Sequence, residues 1–132
     1  VNKKILLTAA ILGALSVALG AFGAHGLKQL VPPETVATFE TGVRYQFYHT
    51  FALLFVGILF EKFASKQLGL AASFFVTGII LFSGSLYLLT ALKATNTVGL
   101  SGIGIVTPIG GVFLILGWLM LFFALRKNPI KN

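Results

Sequence analysis

The residues in this chain best able to do chemistry are two histidines, His25 and His49. Imidazole ligates metals and exchanges protons near neutral pH. His25 lies in GAFGAHG, residues 20–26. His49 lies in RYQFYHT, residues 44–50, where Arg44, Tyr45, Gln46, Tyr48 and His49 stand directly before the apolar run FALLFVGILF. At about 100° per residue, Arg44, Tyr45, Tyr48 and His49 fall within a helical arc of roughly 140°. Phe47 and Phe51 point the other way. The arrangement this predicts is phenylalanines to lipid and the polar arc to the protein interior, because a polar face in hydrocarbon is costly. Ser83, Ser85, Tyr87 and Thr107 supply further hydroxyls.

The chemistry open to this set is narrow. Two histidines without a carboxylate or thiolate make an incomplete metal set, although they are the only metal candidates here. Haem would need their nitrogens on opposite faces of one porphyrin. The chain has no cysteine, which removes disulfides, thiolate metal sites and thiol–disulfide relays. No nucleophile–base pair is legible, and no cofactor is assigned. The plain reading of each histidine is a hydrogen bond to a neighbouring carbonyl or hydroxyl that ties helix ends together. For Arg44 and the tyrosines it is anchoring at the membrane interface.

These residues must be positioned by membrane elements. The 132 residues suit one domain, 1–132, with 57% apolar and only 10% charged residues and a mean hydropathy of +0.96. A chain this poor in charge has lipid as its main solvent. Crossing about 30 Å of hydrocarbon takes roughly 20 apolar residues in a helix. Residues 5–24, 45–60, 68–92 and 103–125 qualify, and none of them contains Asp, Glu, Lys or Arg. Lys3 and Lys4 before the first run, with Ala21-Phe22-Gly23 after it, also fit a secretory signal; we count that run as a span. The expected fold is an all-α, antiparallel four-transmembrane-helix bundle. A short amphipathic helix, residues 33–43, is expected in the first outer loop. Pro32-Pro33-Glu34 starts it, Val36, Phe39 and Val43 form its stripe, and Gly42 bends it into the second span.

The net charge of +7 would suggest nucleic acid in a soluble protein. Here the basic residues flank apolar runs, which favours helix anchoring and contact with anionic lipid; the expected partner is the bilayer, not nucleic acid. Seven of them (Lys3, Lys4, Lys62, Lys66, Arg126, Lys127, Lys131) share one side, and Lys28, Arg44 and Lys93 the other. The positive-inside rule then places both termini in the cytoplasm. Both histidines and the hydroxyl groups fall toward the outer half, as does the helix breaker Pro108. Trp118 and Glu61 are read near the cytoplasmic boundary. An outward-opening polar pocket is the expected candidate site.

Gly13, Ser16, Gly20, Gly23 and Gly26 form a small-residue stripe suited to close helix packing, within the bundle or between copies in a homo-oligomer. GLSGIGIVTPIGG lacks the lysine and preceding strand of a phosphate loop and is set aside.

GAFGAHGLK, FETGVRYQFYHTFALL, FSGSLYLL and TPIGG…GW, in that order, resemble the membrane protein family called domain of unknown function 423, which is transmembrane protein 256-like. The resemblance covers nearly the whole chain and falls on His25, Arg44, Tyr45, Gln46, Tyr48 and His49. It implies a four-helix protein of a bacterial cytoplasmic membrane and carries no activity to transfer. Three functional readings follow. The first is a non-enzymatic binding or accessory protein holding a small ligand, lipid or partner helix, with His25 and His49 as polar anchors and Arg44 meeting any anionic group. The second is a small-solute or ion transporter or channel formed by an oligomer. The third is a histidine–metal or haem-binding membrane protein.

Overall fold

The computed structural model describes residues 1–97 and 102–128; Lys131 and the start of GLSGIGIVTPIGG lie outside them. Four long helices follow one another: α1, Lys3–Ala24; α2, Pro33–Leu59; α3, Lys66–Ala94; and α4, Ile103–Lys127. A single 3₁₀ turn, Gly26–Gln29, joins α1 to α2. No strand occurs among the described residues.

The helix ends follow from local chemistry. Asn2 caps α1 by accepting a hydrogen bond from the Ile5 amide at 3.2 Å. Pro33 opens α2 with Glu34 in its first turn, where a missing N–H costs nothing and an acid meets the positive helix end. Ser65 caps α3 through the Leu68 amide at 3.2 Å. At the far end of α3, Asn96 takes a positive φ of 54°. The Thr97 amide then bonds the Leu92 carbonyl and the Asn96 amide that of Lys93, which closes the helix as a Schellman motif.

The helices pack in chain order, α1 on α2, α2 on α3, and α3 most extensively on α4. Glycines set the register. A methyl group added at Gly13 would meet Thr50, at Gly20 Val43, at Gly23 Phe39 and at Gly57 Leu6, so α1 and α2 run antiparallel along almost all of α1. Gly78 meets Leu114 and Gly117 meets Phe75 in the same manner between α3 and α4. The stripe glycines Gly13, Gly20 and Gly23 therefore spend their small size inside this chain, against α2. Buried Ser16 turns its hydroxyl back to the Leu12 carbonyl at 2.7 Å, and Gly26 lies beside the Phe22 ring.

The helix expected over 33–43 and the span expected over 45–60 are one continuous helix, which corrects the division between them. α2 has 27 residues, about 40 Å at 1.5 Å per residue. Gly42 does not interrupt it. A Cβ there would lie 2.9 Å from the Tyr87 ring, so the glycine allows α3 to approach closely.

Polarity is inverted relative to a water-soluble protein. Leu7, Ile11, Leu15, Phe55, Ile80, Ile105 and Ile115 are exposed, while Gln46, His49, Thr50, Ser83, Ser85 and Thr90 are buried. Apolar surface on that scale is stable only against lipid or another protein. α1 with its 3₁₀ turn, α3 and α4 are each long and apolar enough to cross a membrane.

Candidate functional site: a buried polar seam

RYQFYHT divides between two faces of α2. Gly42, Gln46, His49 and Leu53 lie on the buried stripe at helical spacing, whereas Arg44, Tyr45 and Tyr48 are turned outward. The 140° arc described above is therefore centred on the wrong direction, with His49 at its inner edge. Packing chose the stripe that pairs a glycine and hydrogen-bonded side chains with α3, rather than the stripe richest in polar atoms. Tyr45 still covers the seam, since its ring stacks on Phe82 with centroids 4.6 Å apart.

Five bonds between helices make the seam. The Ser83 hydroxyl donates to the Gly42 carbonyl at 2.6 Å. The Tyr87 hydroxyl donates to Gln46 Oε1 at 2.6 Å, and Gln46 Nε2 donates to the Leu12 carbonyl at 3.0 Å. One amide thus bridges α3 and α1 through α2. Trp118 Nε1 donates to His49 Nε2 at 3.0 Å and ties α4 to α2. Ser85 and Thr107 share a hydrogen bond of 2.6 Å between α3 and α4, one residue before Pro108. Proline leaves the Gly104 carbonyl without its helical donor, and a side-chain link beside it compensates for the weakened turn.

The ring of His49 has its tautomer settled by its neighbours. Nδ1 lies 2.7 Å from the Tyr45 carbonyl, which can only accept, so Nδ1 carries the proton. Nε2 must then accept from the indole, which can only donate. Both nitrogens of a neutral imidazole are in use. Phe75 and Trp118 enclose the ring, with centroids 5.7 and 5.9 Å away. Beside it, Thr50 Oγ1 is buried with no hydrogen-bond partner.

His25 is elsewhere. It is exposed, ends α1, and donates its backbone amide to the Phe22 carbonyl. Thr50, next to His49, faces Gly13, twelve residues before His25 and near the midpoint of α1. The two imidazoles are thus separated by about 18 Å along the helix axis. They do not meet at one depth, because α2 begins at Pro33 and is already several turns deep at His49. Among the described residues, neither histidine lines the main cavities, of 290 to 680 Å³, that open between the elements. Among the described residues no group of three or more His, Asp or Glu side chains is placed to hold a metal ion. Trp118, read as a boundary residue, sits instead at the depth of His49. The glycine before it, Gly117 against Phe75, is the local signal that this turn of α4 is packed rather than interfacial.

Comparison with known proteins decides the family. The model of the family described as protein of unknown function DUF423 matches residues 19–111, which include His25, the whole of α2 and α3, and the first turns of α4. The chain belongs to this family. It is 38% identical to the membrane protein YwdK of Bacillus subtilis, over 95% of this chain and 98% of that one. It is 39% identical to the inner membrane protein YgdD of Escherichia coli, over 95% and 92%. A Haemophilus influenzae membrane protein of the same UPF0382 group is 38% identical over 96% and 97%. No solved structure matches. The protein is an integral membrane protein of a family without an assigned activity, and its inverted polarity has the same origin.

Proposed function

We propose that this chain is a non-enzymatic binding or accessory protein of a bacterial cytoplasmic membrane. It crosses the membrane four times, with both termini in the cytoplasm, and holds a lipid tail or a small apolar ligand at its outer-leaflet end. Support for the fourth span comes from the α1–α2 register. If α1 crosses, the segment of α2 running beside it from Phe39 to Gly57 crosses with it, with Gln46, His49 and Thr50 turned inward and Glu40, Arg44, Tyr45 and Tyr48 outward. Orientation rests on Lys3, Lys4, Lys62, Lys66, Arg126 and Lys127 gathering at one end. The relative named as an inner membrane protein supports the location.

One observation carries the binding reading. A cavity of 290 Å³ opens at the α1–α2 end, lined by Phe22, Leu27, Leu30, Phe39, Tyr87 and Thr90. Its walls come from α1, the 3₁₀ turn, α2 and α3. The Tyr87 hydroxyl is committed to Gln46 and Thr90 to the Leu86 carbonyl, so an occupant meets an apolar surface with its polar groups already satisfied. Ala94 lines the cavity from α3, so the test is native mass spectrometry of gently extracted protein beside an Ala94→Phe variant, which fills it. A retained mass present in the wild type and lost in the variant supports the reading. Bare protein in both samples, or an identical set of adducts in both, retires it.

A further inference from the structure

The end of the molecule away from that pocket holds a second cavity, 680 Å³ in volume, between α3 and α4. Three cationic side chains ring it. Lys66 is the first residue of α3, and Arg126 and Lys127 are in the last turn of α4. Their convergence follows from helix register. Gly78 faces Leu114 and Gly117 faces Phe75, and the same antiparallel pairing brings Lys66 level with Arg126. Gln67 adds a neutral amide, and among the described residues no acidic side chain lines the cavity. Its floor is Leu70, Met120 and Phe123, one turn or more toward the membrane interior.

Arg126 and Lys127 would complement the negative end of the α4 dipole wherever they pointed. That role requires neither Lys66 nor an apolar floor. A cationic mouth above an apolar floor, on two helices that cross a membrane, has the polarity of a lipid at the headgroup level. Free phosphate would use only the cations. A zwitterionic lipid would bring its own positive charge to the ring. Volume is consistent as well, since ligand cavities run about 300–1,000 Å³.

We propose that this cavity binds an anionic phospholipid, its phosphate held by Lys66, Arg126 and Lys127 and its first methylenes laid on Leu70, Met120 and Phe123. The site is independent of the pocket at the other end.

The test is native mass spectrometry of the full chain in mild detergent, titrated with phosphatidylglycerol or with phosphatidylcholine of the same acyl chains. The wild type should prefer the anionic lipid by more than about tenfold, and Lys66→Gln with Arg126→Gln should lower anionic binding about 25-fold, at roughly fivefold per cation. Each single variant should show about the fivefold step, which keeps the test readable if the double variant unfolds. Lys93→Gln, which removes a lysine from the other end of α3, should leave the preference intact. Leu70→Trp, which crowds the floor, should weaken the lipid without affecting its water-soluble glycerophosphate headgroup. Equal binding of the two lipids, or the same loss from Lys93→Gln, would overturn the proposal. Glycerophosphate binding as tightly as the lipid would do so as well.

Discussion

His49 contributes to this protein as a two-ended connector: its Nδ1–H is held by its own helix and its Nε2 by Trp118 of α4. His49→Ala strands the Trp118 indole N–H among Phe75 and other apolar groups. The expected cost is about 1–2 kcal/mol, because hydrogen bonds between membrane helices are worth little more than that. Trp118 is the sole tryptophan of the chain, so its emission reports the change directly. A lowered unfolding temperature with altered tryptophan emission is expected for His49→Ala and neither for His25→Ala, whose side chain is exposed. Equal effects from the two substitutions would mean that the histidines act as one site after all. Thr50 gives the converse prediction. Its hydroxyl is buried without a partner, so Thr50→Val should raise stability by about 1 kcal/mol. A less stable valine variant would show that the hydroxyl has an occupant to bond.

Between helices, stability rests on close approach at glycine. Membrane helices gain little from hydrophobic segregation, since lipid is as apolar as leucine, and they depend on contact area and hydrogen bonds. Gly110 is the tightest case, because a Cβ there would overlap the Phe82 backbone nitrogen. Gly110→Ala must push α4 away from α3, at about 1–3 kcal/mol, and should strain the Ser85–Thr107 bond one turn away. Gly84 has open space around it on the same α3 helix, so Gly84→Ala should be neutral. Thermal unfolding of the two variants in one detergent checks the pair, and the same shift in both would show that helix propensity rather than contact governs.

At the scale of the whole molecule, the two ends differ. One end gathers cations around the cavity between α3 and α4, and the other closes with the 3₁₀ turn and an apolar pocket. The absence of cysteine makes topology directly measurable. With an impermeant maleimide on intact cells, Lys28→Cys and Asn96→Cys should label, and Lys62→Cys should label only after permeabilisation. The reverse pattern would invert the assigned orientation. If Lys28→Cys and Lys62→Cys labelled from the same side, α2 would not cross and the four-span reading would fall.

Composition and hydropathy by themselves determined that this chain is helical and lives in a membrane. Burial in lipid demands long uncharged helices, and that demand is written residue by residue in 5–24, 68–92 and 103–125. Local chemistry also reached the start of α2, since proline and an acid in a first turn act without any neighbour. Depth and facing belonged to the tertiary structure. Polar residues before an apolar run read as a rim because sequence counts depth from the first polar group. α2 starts eleven residues before Arg44, and its alignment with Gly13, Gly20 and Gly23 carries His49 level with the middle of α1. Which polar side chains turn inward was decided by partners on other helices: a carbonyl of Leu12, a hydroxyl of Tyr87, an indole of Trp118. No periodicity within α2 encodes those groups, since a hydrogen bond between helices depends on a register that only the packed chain possesses.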